Sequence, residues 1–220
     1  MWNWKLEQNS GIIGMMHTNM RFIGITGGVG AGKTEILKYL DRRQDTRVML
    51  ADEIAHDLME PGTKCYEKLK SAFPSEDIYL ENGQFDRGKL ASVIFSDEEK
   101  RERLNAIVHP AVKEYVREQV AYEQERGVVK WLVLEAALLI EEHYDEICDE
   151  LWYIYTSEDN RRARLKASRG YSDEKVDQIF NSQLEEKVYR QYCTVIIDNN
   201  GTVDKATAQI EKALRREADE

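Results

Sequence analysis

The stretch GITGGVGAGKTE, residues 24–35, sets Gly27, Gly32, Lys33 and Thr34 at the spacing of a loop that wraps phosphate. In such a loop, successive backbone N–H groups and the N-terminus of the next helix converge on phosphate oxygens, and glycine permits both the backbone angles and the close approach. Gly28, Gly30, Ala31, Gly32, Lys33, Thr34 and Glu35 are therefore the candidate nucleotide cradle. Lys33 would reach the β- and γ-phosphates of ATP, and the Thr34 hydroxyl would serve Mg²⁺. A chance glycine-rich turn is the bland alternative, and the apolar run before the loop and the helical pattern after it argue against that.

Several other side chains could complete a phosphoryl transfer. Asp52 follows the apolar run RVMLA, where it could orient an acceptor hydroxyl or take its proton; the blander reading is a cap of the helix EIAHDLM, and the two roles can coexist. Glu135 ends VVKWLVLE in the manner of an acid serving Mg²⁺, or stands as a solvated loop residue. Arg161, Arg164 and Arg169 flank one helical segment, and their forked cations suit phosphates as readily as a solvated, ion-paired face. His109, directly before Pro110, could contact substrate or cap the following helix.

These residues need a scaffold. Runs rich in β-branched and aromatic residues recur at 22–26, 46–51, 128–135, 151–155 and 194–198, separated by helical patterns, which predicts a mostly parallel α/β sheet covered on both faces. The interval 61–127 is too long for a simple crossover and predicts an inserted helical subdomain. Within it, FDRGKLASVIF, SDEEKRERLNAIV and PAVKEYVREQVAYEQERG read as separate short helices, with Pro110 at a first helical position and Gly127 as a stop. A second helical excursion carries the arginine cluster.

With 220 residues, 42% hydrophobic and 33% charged, the chain can bury one substantial core. Its net charge of −10 disfavours nucleic acid as a partner. Cys65, Cys148 and Cys193 lack metal or redox spacing, which fits reduced, packed thiols and a cytoplasmic protein. No stretch predicts a signal peptide or a membrane span. Met20 suits a natural start, with 1–19 as a poorly ordered extension unless Trp2 and Trp4 dock on the surface.

No Asn-Lys-x-Asp guanine-reading motif and no SGGQ-type signature occur, so a small kinase is favoured over a GTPase or a transporter ATPase. A kinase of another small metabolite and a non-catalytic ATP-binding interaction module stay open on these residues alone. The segments IGITGGVGAGKTE, ADEIAHDLMEPG, FDRGKLASVIFSDEEKRERLNAIVHPAV, VLEAALLIE, RLKASRGYSDEKVDQIFNSQ and VIIDNNG stand in the order and spacing of dephospho-CoA kinases, and over about 21–209 the chain resembles that family. The resemblance implies ATP- and Mg²⁺-dependent phosphorylation of the ribose 3′-hydroxyl of dephospho-CoA; no protein partner is inferred. It implies a P-loop NTPase three-layer α/β/α fold with strand order 2-3-1-4-5. The nucleotide core would comprise 20–60, 128–160 and 190–220, with a CoA-side helical insertion at 61–127 and a lid at 161–189. Residue by residue, it makes Asp52 the acid beside the acceptor hydroxyl and 30–35 the phosphate cradle. It makes Arg87 and His109 substrate-side groups, Arg164 and Arg169 lid residues that meet phosphates, and Asn199 a neighbour of adenine. Glu135-Ala136-Ala137 departs from it, standing where the family usually shows an aspartate followed by proline.

Overall fold

The computed structural model describes residues 20–74 and 77–215. The expectations attached to 1–19, including Trp2 and Trp4, lie outside the described residues. Five parallel strands form one sheet: β1 (Arg21–Thr26), β2 (Thr46–Leu50), β3 (Trp131–Glu135), β4 (Glu150–Tyr155) and β5 (Val195–Asp198). Their order is β2-β3-β1-β4-β5, as the family resemblance implies. The apolar runs of the central strands β3, β1 and β4 are continuous because both of their faces are buried. Alternate residues feed different cores: Phe22, Leu132, Leu134, Leu151 and Tyr153 face one, and Ile23, Val133, Trp152, Ile154 and Ile197 the other.

Helices α1 (Lys33–Asp41) and α9 (Val203–Arg215) cover the second face through Ile36, Leu37 and Leu40 and through Ala206, Ile210 and Leu214. The first face is covered by α2 (Ala51–Leu58), α3 (Lys64–Ala72), α4 (Arg87–Ser96) and α5 (Glu98–Arg126). Side-chain oxygens start three of these helices: Thr63, Asp86 and Asp97 accept from the backbone N–H of Tyr66, Lys89 and Lys100. Gly127, at φ 59°, ends α5 as its sequence predicts, its N–H donating to Glu123 O at 3.0 Å. Between α3 and α4, Tyr79 and Phe85 form an antiparallel bridge that the sequence did not announce.

Two sequence expectations are corrected. The apolar run at 128–135 is longer than its strand, which starts at Trp131, and Val128 is 58% exposed. The segments on either side of Pro110 are not separate helices: α5 runs unbroken for 29 residues with Pro110 inside it. The proline removes one backbone donor, a loss of roughly 3 kcal/mol in an isolated helix interior. Leu104, Val108, Val112 and Val116 are buried on one stripe of α5, packed where α2, α3 and α4 lie, and this packing offsets the missing bond.

The C-terminal part of α5 is fastened to edge strand β2 by the fully buried Glu123, whose Oε1 accepts from Arg47 Nη1 at 2.5 Å and from Arg126 Nη1 at 3.3 Å. Arg47 also donates to Gln119 Oε1 at 2.8 Å. After β4 come α6 (Glu158–Arg169), α7 (Asp173–Asn181) and α8 (Glu186–Tyr192), with Ser157 and Ser172 capping the first two. No helix among the described residues is long and apolar enough to cross a membrane.

Candidate active site

Because every strand is parallel, all carboxyl ends emerge at one edge, the usual place for ligands in such sheets. The register pairs Ile25 with Glu135 and Glu135 with Leu50. The loop after β1, the helix start after β2 and the end of β3 therefore meet. A pocket of about 840 Å³ opens there, lined by Gly28 to Thr34, Asp52, Glu135, Arg164 and Arg169. Most of the predicted site residues are thus brought together.

Two glycines of the loop are sterically required. Gly30 and Gly32 adopt φ 84° and 85°, and a Cβ on Gly32 would lie 2.6 Å from Asn199 Nδ2. The loop is braced from behind by residues far away in sequence. The carbonyl of Ala31 receives Asn199 Nδ2 at 2.7 Å, the Thr156 hydroxyl at 3.0 Å and Arg164 Nη1 at 3.2 Å. Arg164 Nη2 also donates to Asn199 O at 2.7 Å. Arg161 Nε donates to Val29 O at 2.9 Å, and its guanidinium lies under Gly28 and 4.3 Å from the centre of the Phe180 ring. Burial lowers the pKa of Arg161, yet an arginine remains charged under any ordinary condition.

Arg164 therefore lines the pocket while being held to the loop and to Asn199, and it is not a free lid side chain. Arg169 also lines the pocket, is exposed, and lies 5.8 Å from the centre of the Tyr171 ring. Asn199 is 7% exposed and sits behind the loop rather than among the residues lining the pocket. Sequence reasoning missed Thr156, whose hydroxyl is buried beneath the loop, because a single threonine after a strand carries no distinguishing pattern.

Lys33 Nζ donates to Gly27 O at 2.6 Å and lies 3.4 Å from Glu135 Oε1, so its charge is folded across the loop mouth. Thr34 points its exposed side chain into the same pocket, whereas the Glu35 carboxylate turns outward to Lys38 at 2.8 Å. Glu35 could meet a nucleotide only through its backbone.

Asp52 does not cap its helix. The N-cap position is Leu50, and Asp52 lies within the first turn with no hydrogen bond or ion pair among the described residues. The exposed carboxylate faces the pocket unpaired. His109 does not cap a helix either, since it lies inside α5; its Nδ1 is 2.6 Å from Glu142 Oε1. With Lys113, which donates to the carbonyls of Glu142 and His143, it ties α5 to the segment after β3, outside the large pocket. Arg87 lines a second, smaller pocket.

The cysteines take no part. Burial pushes the Cys193 thiol up to about 12 and raises Cys65 and Cys148 as well, so they stay protonated. Among the described residues no cluster of three His, Cys, Asp or Glu side chains could hold a metal by itself. The hard oxygens of Thr34 and Glu135 in one pocket fit Mg²⁺, which keeps several waters and takes one or two protein ligands beside substrate phosphates.

Comparison with known proteins agrees with this geometry. A family model described as dephospho-CoA kinase matches residues 21–205. A dephospho-CoA kinase of Shouchella clausii is 33% identical, covering 90% of this chain and 99% of that protein. Another, of Geobacter sulfurreducens, is 37% identical over 88% of this chain and 96% of that protein. A solved structure from Thermus thermophilus superposes with a TM-score of 0.73 at 27% identity, covering 90% of this chain and 98% of that one. With its phosphate loop, acidic residue after β2 and matching length throughout, the chain belongs to the dephospho-CoA kinase family.

Proposed function

We propose that the acceptor hydroxyl enters the large pocket beside Asp52 while the ATP phosphates lie in the loop above Lys33. The reaction is that of the family: ATP-dependent phosphorylation of dephospho-CoA at its ribose 3′-hydroxyl, giving coenzyme A and ADP. One observation carries the assignment of roles. Asp52 is an unpaired carboxylate in the same pocket as Lys33, and it does not cap α2.

Asp52 accepts a hydrogen bond from the attacking hydroxyl, orients it and takes its proton as the bond to phosphorus forms. In a loose, metaphosphate-like transition state the orienting bond outweighs early proton removal. The loop N–H groups and Arg164 are held in place before substrate arrives, and Lys33 and Arg169 join them on the phosphates. Lys33 is held by Gly27 O and Glu135, contacts that an incoming phosphate competes for. Mg²⁺, when bound, neutralises phosphate charge, and Thr34 and Glu135 are the residues that would hold it. Arg169, exposed at the end of α6, approaches the phosphates as the 161–189 segment closes and excludes water. The helices of 61–127 form the acceptor side.

The test is an acceptor assay with Mg·ATP and dephospho-CoA, adenosine or pantetheine, with product mass and phosphate position determined. Dephospho-CoA should be phosphorylated on its ribose 3′-oxygen and the truncated compounds should be poor acceptors, because binding of remote parts fixes the reacting hydroxyl. Equal turnover of adenosine, or phosphate on another oxygen, would overturn the proposal.

A further inference from the structure

Arg161 touches the phosphate loop and the end of α7 with one guanidinium. Its Nε donates to Val29 O at 2.9 Å, its Nη2 donates to Gln183 Oε1 just beyond α7, and its centre lies 4.3 Å from that of the Phe180 ring in the last turn of α7. Gly28 has no side chain to keep it away: a Cβ there would lie 2.4 Å from Arg161 Cζ. The base of α6 is fixed, since Asn200 Oδ1 accepts from Ser157 N–H at 2.9 Å and from Asn160 Nδ2 at 2.8 Å. The end of α7 is held less closely. A cavity of about 550 Å³ is lined by Phe180 and Gln183 and also by Tyr153 of β4 and Tyr189 of α8, so open space bordered by Arg161 separates this end of α7 from the sheet.

Arg164 and Arg169 line the large pocket and Arg161 does not, so Arg161 acts on the loop backbone rather than on a phosphate. No carboxylate pairs with it among the described residues; its partners are two neutral oxygens and a ring face. We propose that Arg161 is a positioning residue that couples the placement of α7 to the conformation of Gly28 and Val29, so that closure of 161–189 sets the loop for the transferring phosphate. This rests on the reading of 161–189 as the segment that closes. A planar fork is required, because its separate edges hold Val29 O and Gln183 while its face stacks on Phe180, and a point charge such as lysine cannot do all three. Small displacements of the loop matter, since misplacing a reacting group by about 1 Å can cost roughly 10²-fold in rate. Arg162 differs: its exposed guanidinium pairs with Asp173 and Asp177 and ties α7 to α6 without touching the loop.

The test is a double-mutant cycle read in steady-state kinetics well below the melting temperature of every variant. Arg161→Lys keeps the charge and loses the fork; it should raise the KM for ATP by roughly ten-fold and lower kcat, with the KM for dephospho-CoA as internal reference. Gln183→Ala lies away from the large pocket and leaves the Val29 bond in place. It should raise the KM for ATP by roughly three-fold in the wild-type background and add nothing in the Arg161→Lys background, which is the signature of one shared link. Arg162→Gln, which loosens only exposed ion pairs, should leave the KM for ATP within about two-fold of wild type. Wild-type kinetics in a folded Arg161→Lys protein, additive effects of the two changes, or an equal effect of Arg162→Gln would each overturn the coupling. Gln183→Ala is itself a mild change and keeps the question answerable if Arg161→Lys fails to fold: wild-type kinetics in it would also overturn the link. Unaltered kinetics in Arg169→Ala would instead overturn the closing of 161–189, and the coupling with it.

Discussion

The two sides of the large pocket are built on opposite plans. On the nucleotide side, the Ala31 carbonyl receives donors from Thr156, Arg164 and Asn199, Arg161 holds Val29, and Lys33 is pinned between Gly27 and Glu135. On the α2 side, the Asp52 carboxylate is exposed and without a side-chain partner among the described residues, as are His56 and Arg87 in the smaller pocket beyond it. A phosphate chain presents the same charge whatever it is attached to, so fixed donors stabilise it without reorganising during the reaction. An acceptor brings its own shape and charge; unpaired groups left in water cost little until it arrives. Rigidity is placed where the ligand is generic, and open valence where it is specific.

The largest expected effect tests the open side. Asp52→Asn should lower kcat by roughly 10²–10⁴. ATP affinity should change little, and the melting temperature should hold because Asp52 caps nothing. A variant altered only in melting temperature would make Asp52 structural and erase the contrast. Lys33→Ala probes the fixed side and should reduce kcat by roughly 10²–10³ with the fold retained. Near-normal turnover by the folded variant would remove Lys33 from the chemistry.

The two pocket arginines sharpen the comparison, since one belongs to the brace and the other does not. Arg164→Ala should lower kcat/KM and also cost about 1–3 kcal/mol of stability, because carbonyls near the buried Asn199 lose donors. Arg169→Ala should lower kcat/KM while thermal unfolding stays within about 0.5 kcal/mol of wild type, as expected for an exposed site. Equal losses of stability would show that the two are not differently placed. The smallest effect lies away from the pocket. Pro110→Ala restores a donor inside α5 and should stabilise the protein by on the order of 1 kcal/mol without changing kinetics. A destabilised variant would show that the ring itself is packed into the helix.

The phosphate loop was legible in the sequence because its geometry is local: neighbouring residues set its backbone angles, and glycine at Gly30 and Gly32 is demanded by positive φ. The three central strands, β3, β1 and β4, were legible because burial on both faces leaves unbroken apolar runs. The ends of elements were less so. Pro110 read as a boundary since its local cost is unfavourable to helix, and only the packing of α5 on α2, α3 and α4 overrides that cost. Asp52 read as a catalytic acid, as a cap or as both, because both roles ask for an aspartate near a helix start; its placement inside the first turn, with Leu50 at the N-cap, removes the cap.

By itself the sequence determined that a glycine-rich loop follows the first strand, that an acid follows the second, and, through its ordered motifs, the family. Tertiary structure alone decided what holds the loop rigid and where the pockets lie. Thr156, Arg164 and Asn199 reach Ala31 across 125, 133 and 168 residues of chain, and the small pocket exists only where three helices meet. Such contacts leave no local pattern, since their energy depends on residues that become neighbours only when the sheet has formed.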